Sequence, residues 1–268
     1  MHQLESGPAM FARYAYPPNE LGYCGPPSAE ELLSSASAED VVSESELVRR
    51  ARDFDGAWAY LEVISAGTGT DPLDPAVVEA YWIGSPLLEQ VDPVRFGATV
   101  RARFADQVGA RFSGLPAGRF ETSEALPHHS FHVFEVYPWV GMLGRGDGEP
   151  ALSVLDQCRI RWGRVLAVEG DRAVVRSRPL RWDGRQLSWG PEREERPRWA
   201  DRGRSLLRDI KPGDQVSMHW DWVCDRLNDR QLAALRDCTD RQLRLTNRTL
   251  ARDRTARTER PSADLEGS

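Results

Sequence analysis

From Trp162 to Trp220 short β-forming runs alternate with tight-turn signals. "GRVLAV", "RAVVRS", "RQLSW" and "DQVSMHW" are separated by "EGD", "WDG" and "KPGD". Short runs bounded by Gly, Asp and Pro cannot carry long helices, and several of them at close spacing predict a small closed or nearly closed antiparallel sheet. Asn228 then opens "NDRQLAAL", where Gln231 stands at the reciprocal position of a capping box; this predicts a final helix carrying Leu232, Leu235 and Leu243. Beyond Asn247 apolar residues become sparse, so 248–268 is expected to be a frayed or disordered tail.

The preceding half has a different period. Leu47, Ala51, Phe54, Trp58 and Leu61 recur at helical spacing and predict a helix from Ala38 to about Gly67. Asp74 and Pro75 form a cap and first turn for a second helix ending near Gly84, and a third is expected over Pro93 to Val108. The prolines of "YAYPPNELGYCGPP" predict an irregular lead-in, and "HHSFHVFEVYPW" predicts a strand from Ser130 to Tyr137 followed by a linker at "GRGDGEP". The expected fold class is α+β: a mainly helical domain over 1–145 ending in a strand, then a small β-barrel with its helix over 146–247.

A formal net charge of -6 argues against general nucleic-acid or anionic-membrane binding, which needs a basic field. No run approaches the roughly eighteen apolar residues of a membrane span, and the first residues lack a signal-peptide layout, so a cytoplasmic protein is expected. There Cys24, Cys158, Cys224 and Cys238 stay reduced, and none forms a Cys-x-x-Cys pair.

In "DQVSMHW" strand alternation places Val216 and Met218 on one face, and Gln215, Ser217 and His219 on the other. His219 is therefore expected to face outward or into a cleft. Its chemistry comes into focus beside Cys158, which precedes Gly163 in "CRIRWGRVLAVEGDRAVV". This segment and "PGDQVSMHWDWVCDRLNDRQL", anchored on Gly213, Asp214, Val216, His219 and Leu227, resemble the HypC/HupF family of nickel-iron hydrogenase maturation chaperones. The resemblance runs from Cys158 to Leu235. It implies an OB-like barrel in which Cys158 and His219 hold an iron carrying cyanide and carbon monoxide before its transfer to a hydrogenase large subunit or another maturation protein. A soft thiolate and an imidazole suit such an iron. Unlike the family's terminal cysteine, Cys158 is internal, and Arg193–Arg208 lengthens the middle of the barrel. The whole chain, through "FARYAYPPNELGYCGPP", "VVEAYWIGSPLLEQV" and "HHSFHVFEVYPWVGML", is also similar to an uncharacterised actinobacterial hydrogenase-associated family.

Secondary candidates lie in the helical half. On a strand His128 and His132 would stand roughly 13 Å apart, too far for one ion; a turn at that point would instead let His129 and His132 converge. Cys24, flanked by glycine in "GYCGPP", is either a presented thiol or an ordinary turn residue. These residues support an alternative of another class, a small-molecule enzyme with its pocket in the helical domain around "HHSFH". The first reading requires no catalysis and the second makes His129 and His132 the sensitive positions. No phosphate loop, dinucleotide fingerprint or nucleophile elbow is present.

Overall fold

The computed structural model describes residues 6–27, 29, 32–33, 44–108, 124–144 and 148–258. Helices precede an antiparallel sheet, and a long helix closes the chain, which is an α+β arrangement. The first helix, α1 (Gly7–Glu20), corrects the irregular lead-in expected at "YAYPPNE". Ser6 caps it by accepting from the Ala9 amide, Pro8 sits in the first turn where its missing N–H costs nothing, and Pro17 and Pro18 fall in the last turn. A proline there leaves the carbonyl four residues back without its helical donor. Pro18 thus frees the carbonyl of Tyr14, a fact that bears on the site below.

The helix expected over 38–67 is two helices, α2 (Glu44–Arg52) and α3 (Asp55–Thr68), broken at Phe54, which has φ -93° and ψ 72°; residues 38–43 lie outside the described residues. Next, α4 (Pro75–Trp82) begins on Asp74, whose carboxylate accepts from the Ala76 amide at 2.8 Å. After a 3-10 turn (Pro86–Gln90), α5 covers Pro93–Val108.

The strand expected over Ser130–Tyr137 is a helix instead. Residues His129–Phe131 form a short α6 that widens into a π-helical turn, His132–Val136. His128 begins it, accepting from the Ser130 amide through its own Nδ1 at 3.1 Å. All residues from His128 to Val136 are buried, so the run lacks the alternation of a half-exposed strand, and an apolar run of that kind does not by itself separate a strand from a buried helix. Phe131 and Val136 pack into one core cluster and Val133 and Phe134 into a second. Two short helices follow, α7 (Trp139–Met142) and α8 (Gly148–Cys158), so the expected linker is helical from Gly148 onward; residues 145–147 lie outside the described residues.

The main sheet has the order β5-β2-β1-β8-β9, with β1 at Arg161–Glu169, β2 at Arg172–Ser177, β5 at Arg193–Glu195, β8 at Gln215–His219 and β9 at Trp222–Arg226. Two hairpins, β3 (Leu180–Trp182) with β4 (Leu187–Trp189) and β6 (Ala200–Asp201) with β7 (Arg204–Ser205), form separate two-stranded sheets. Turn glycines at 170, 184 and 213 take positive φ, as "EGD", "WDG" and "KPGD" require. At Gly163, β1 lies so close to β2 that a Cβ would stand 2.6 Å from the Arg176 carbonyl oxygen. The sheet also curls. The Arg198 amide donates to Asp221 O and the Val223 amide to Arg198 O, both at 2.8 Å, while the Ala173 amide donates to Pro197 O at 3.0 Å. The Pro197–Arg198 connection therefore bridges the start of β2 to the start of β9. The apolar inside of the curl is Val165, Ala173, Val175, Leu207, Val216, Met218 and Val223.

The last helix, α9 (Asp229–Thr258), starts on the expected capping box: Gln231 N donates to Asn228 Oδ1 at 2.9 Å and Asn228 N to Gln231 Oε1 at 3.1 Å. It continues through 248–258, correcting the expectation of a frayed tail there, because Arg254 donates to Arg185 O and Leu250 packs against the second cluster; 259–268 lie outside the described residues. One apolar cluster contains Phe11, Tyr60 and Trp82 together with Ile160, Trp222, Leu235 and Leu245, so buried side chains from both sides of residue 145 share a core. No helix among the described residues is long and apolar enough to cross a membrane.

Candidate metal centre

Helix α1 is fastened to the outer face of β8 and β9, and this seam makes the site. Arg13 donates to Asp225 at 2.7 Å, the hydroxyls of Tyr14 and Ser217 meet at 2.8 Å, and Glu20 accepts from Arg198 at 2.6 Å and from Trp222 Nε1 at 3.0 Å. Burial opposes ionisation of Glu20, but the hydrogen bonds from Arg198, Trp222 and Tyr16 outweigh it and hold its carboxyl below the ordinary value. Alternation along β8 runs as expected, with Val216 and Met218 inside the curl and Ser217 and His219 opposite. That opposite face is covered by α1, however, so His219 has 0% exposure. Of the two expected settings for His219, outward or into a cleft, it takes the second: the helical half supplies a covering layer, and His219 lines the cavity beneath it.

Cys158 ends α8, and His219 ends β8. Two hydrogen bonds hold these ends together: the Trp220 amide donates to Gln157 O at 2.9 Å, and buried Arg161 donates through Nη2 to Trp220 O at 2.7 Å. Between them the turn holds Trp220 at φ +51°, a left-handed conformation that a bulky residue rarely adopts. His129 arrives from α6. The donor atoms of His129, Cys158 and His219 all lie within 4.8 Å of one another, and all three residues are buried.

The hydrogen bonds assign the tautomers. Tyr14 O, freed by Pro18, can only accept, so His219 carries its proton on Nδ1 and donates to that carbonyl at 2.7 Å. Its Nε2 lone pair is buried and has no hydrogen-bond partner. Leaving such an atom unpaired costs about 1–3 kcal/mol, and an imidazole fixed through Nδ1–H to a carbonyl is the arrangement that presents Nε2 to a metal. His129 differs. Its Nε2–H donates to the Cys158 carbonyl at 2.9 Å and its Nδ1 accepts from the Tyr81 hydroxyl at 3.2 Å. Whichever nitrogen turns to a cation gives up a hydrogen bond.

Burial dominates the electrostatics. It lowers His129 to about 4, partly offset by its bond to the Cys158 carbonyl, and drives His219 well below its ordinary value with help from neighbouring His129 and Arg161. Both rings are therefore neutral, with lone pairs available. Burial pushes the Cys158 thiol far up, and nearby Cys24 adds to this; a bound cation would reverse it by taking the thiolate. A thiolate and two imidazoles suit a first-row transition ion, and not magnesium or calcium, which take oxygen. Bonds of about 2.0–2.3 Å hold tetrahedral ligands roughly 3.3–3.8 Å apart, so the set needs only a modest contraction.

The remaining candidates line the same cavity. It measures about 100 Å³, and its wall includes Cys24, His129, His132, Cys158 and His219. His132 stands off from the three-donor cluster, hydrogen-bonded through Nδ1 to the Tyr60 hydroxyl at 3.2 Å, and burial lowers it to about 3. Cys24 is half-buried, and burial pushes its thiol up to about 12. Gly25 beside it has φ +83°, and a Cβ there would lie 2.2 Å from the Phe54 ring, so only glycine lets this loop close over the cavity. His128 caps α6 and is no part of the cluster, while Cys224 packs in the core.

Sequence reasoning missed the aromatic wall: Tyr81, Trp82, Tyr137 and Trp220. Trp82 packs against His129 at 4.6 Å and His219 at 5.8 Å between ring centroids, and the ring of Trp220 stacks on exposed Tyr23 at 4.3 Å. Trp82 falls in the helix expected from Asp74 to near Gly84, whose amphipathic pattern accounts for it without a site.

Fold and site together define an α+β protein with a buried His/Cys/His donor cluster on the seam between its helical and sheet parts. The chain belongs to a family of unknown function (DUF6390), whose sequence profile matches residues 3–253. No curated protein and no solved structure matches it.

Proposed function

We propose that this protein is a metal-binding accessory factor, in which Cys158 and His219 anchor a transition ion and His129 joins them. The observation that carries this reading is the lone pair on His219 Nε2, buried, unpaired and oriented by Tyr14 O, beside a buried thiol. Cys158 would supply the anionic donor and the two imidazoles the neutral ones. Positions left open by three protein ligands would face the cavity, where an ion's other ligands have room.

The finer reading is a carrier in nickel-iron hydrogenase maturation, docking on the large subunit or another maturation protein and holding an iron with cyanide and carbon monoxide ligands. The resemblance of the Cys158–Leu235 segment to HypC/HupF supports it, and so does the curl of the sheet through Arg198, which suits an OB-like barrel. Iron in particular comes from the resemblance; the donor set itself suits several first-row ions. Anaerobic purification with metal analysis tests both levels. Wild-type protein should carry iron and copurify a hydrogenase partner, and Cys158→Ala should lose both; unchanged iron content and partner binding in the variant would overturn the reading.

A second reading is favoured by the composition of the cavity wall, to which the helical part gives Phe54, Tyr81, Trp82, His132 and Tyr137. It is a small-molecule enzyme using the same pocket, with His129 and His132 as its sensitive residues. His132→Gln separates the two, because it spares the three-donor cluster and should leave metal content unchanged while an enzyme of this kind would lose its activity.

A further inference from the structure

Three of the buried polar atoms without a hydrogen-bond partner belong to residues lining this one cavity: His219 Nε2, Trp82 Nε1 and Trp220 Nε1. A cation answers the first. It cannot answer the others, because an indole nitrogen is a donor only and never offers a lone pair to a metal. Trp82 is 3% exposed and Trp220 8%, so bulk water does not reach these N–H groups either. Two buried, unpaired donors in an otherwise aromatic wall require an acceptor.

From this we infer that the site takes a small anion as an exogenous ligand of its metal, with the indole N–H groups of Trp82 and Trp220 donating to it. The inference rests on the metal reading of the same cluster. Placement supports it: Trp82 lies against both histidine rings of the cluster, and Trp220 directly follows His219 in a turn held rigid by Gln157 and Arg161. The cavity has room for several water-sized groups, which matches a compact anion of a few atoms and excludes a bulky organic acid. Among the described residues no lysine or arginine lines the cavity, so the anion's charge would be met by the ion and its orientation by the two indoles. Such a site discriminates by hydrogen-bond acceptance: at the position the indoles face, an anion with an accepting far end is favoured over a ligand of equal size that accepts a hydrogen bond poorly.

The test uses full-length protein loaded anaerobically with cobalt(II), titrated with sodium azide and followed by the cobalt visible bands and the azide infrared stretch. Saturable azide binding is expected. Trp82→Phe and Trp220→Phe should each keep one cobalt per chain, weaken azide about five- to tenfold, and shift the bound stretch as a hydrogen bond is lost. Trp139→Phe, at a half-buried indole on the same wall, should change neither. Cobalt binding with no azide binding, or azide affinity and stretch unaltered in both indole variants, would overturn the inference while leaving the metal reading intact, with ordered water then the indoles' only partner. Failure of the wild type to take up cobalt would overturn both.

Discussion

The two walls of the cavity are built on different principles. The sheet wall presents Cys158 and His219 at the ends of α8 and β8, locked by backbone-directed bonds, with His219 Nε2 left free. The helical wall presents His129, whose nitrogens are both already engaged, and His132, hydrogen-bonded to Tyr60. One wall is organised to give up a lone pair at no cost in protein contacts, whereas the other must exchange a bond for every bond it makes. The sheet wall should therefore anchor a metal, and the helical wall should set how tightly and under what conditions it is held.

Acid should act on the buried histidines of both walls, and the effect should be the largest. His128, His129 and His132 have folded values of about 3, about 4 and about 3, against 6.5 for a free histidine, because burial disfavours their charged forms. Below 6.5 the unfolded chain binds protons that the fold refuses, so stability is full above that value and falls as pH drops towards 4. Each such histidine contributes about 1.4 kcal/mol per pH unit across this window. Urea unfolding of metal-free protein between pH 7 and 4.5 should show this slope, and His132→Gln should reduce it; a flat profile from 6.5 to 5 would refute the assignment.

Metal affinity probes the sheet wall. Cys158→Ala removes the one anionic donor of a set that in structural sites is worth about 10–16 kcal/mol in all, and competition with a chromophoric chelator should show a loss of at least about a hundredfold. His219→Ala should cost nearly as much. His129→Ala should cost about tenfold, since each bond His129 makes to the ion is offset by a hydrogen bond it gives up to the Cys158 carbonyl or the Tyr81 hydroxyl. Equal losses for the two histidines would erase the distinction between the walls. In wild type, binding should release one proton from the Cys158 thiol, so affinity should fall about tenfold per pH unit on acidification from neutrality.

The same asymmetry explains what could be read from the sequence. The glycine turns, the capping box at Asn228 and α4 behind Asp74 are legible in the residues themselves, whereas Cys158 and His219 are paired only through the resemblance to HypC/HupF, because strand alternation sets His219 opposite Val216 and Met218 without marking it as a ligand. His129 entered only through the alternative of a turn at "HHSFH", since a fully buried run carries no period that separates strand from helix. That error concealed the helical wall. Trp82 and Tyr81 looked like core residues because they are core residues, and their second role depends on which elements α4 meets across the fold. Burial of His219 under α1 was equally out of reach, because two prolines concealed that helix.

Those prolines give the smallest effect and the closest test of how the walls are joined. Pro18 has no N–H for the Tyr14 carbonyl, and His219 Nδ1–H takes that acceptor at 2.7 Å. Pro18→Ala restores a helical donor in the last turn of α1, which competes for one lone pair of the carbonyl without displacing any side chain. The helix should be unharmed. The imidazole should be less firmly held in its Nδ1–H tautomer, and outer contacts of this kind change metal affinity by about 10–100-fold when removed outright, so competition short of removal should cost less than about tenfold. Nitrogen NMR of labelled histidine in the metal-free protein would report the tautomer directly: a mixed Nδ1–H and Nε2–H signal for His219 in Pro18→Ala, against one form in wild type, is expected. An unchanged tautomer and affinity would mean that β8 alone fixes the ring, and that α1 covers the centre without orienting it.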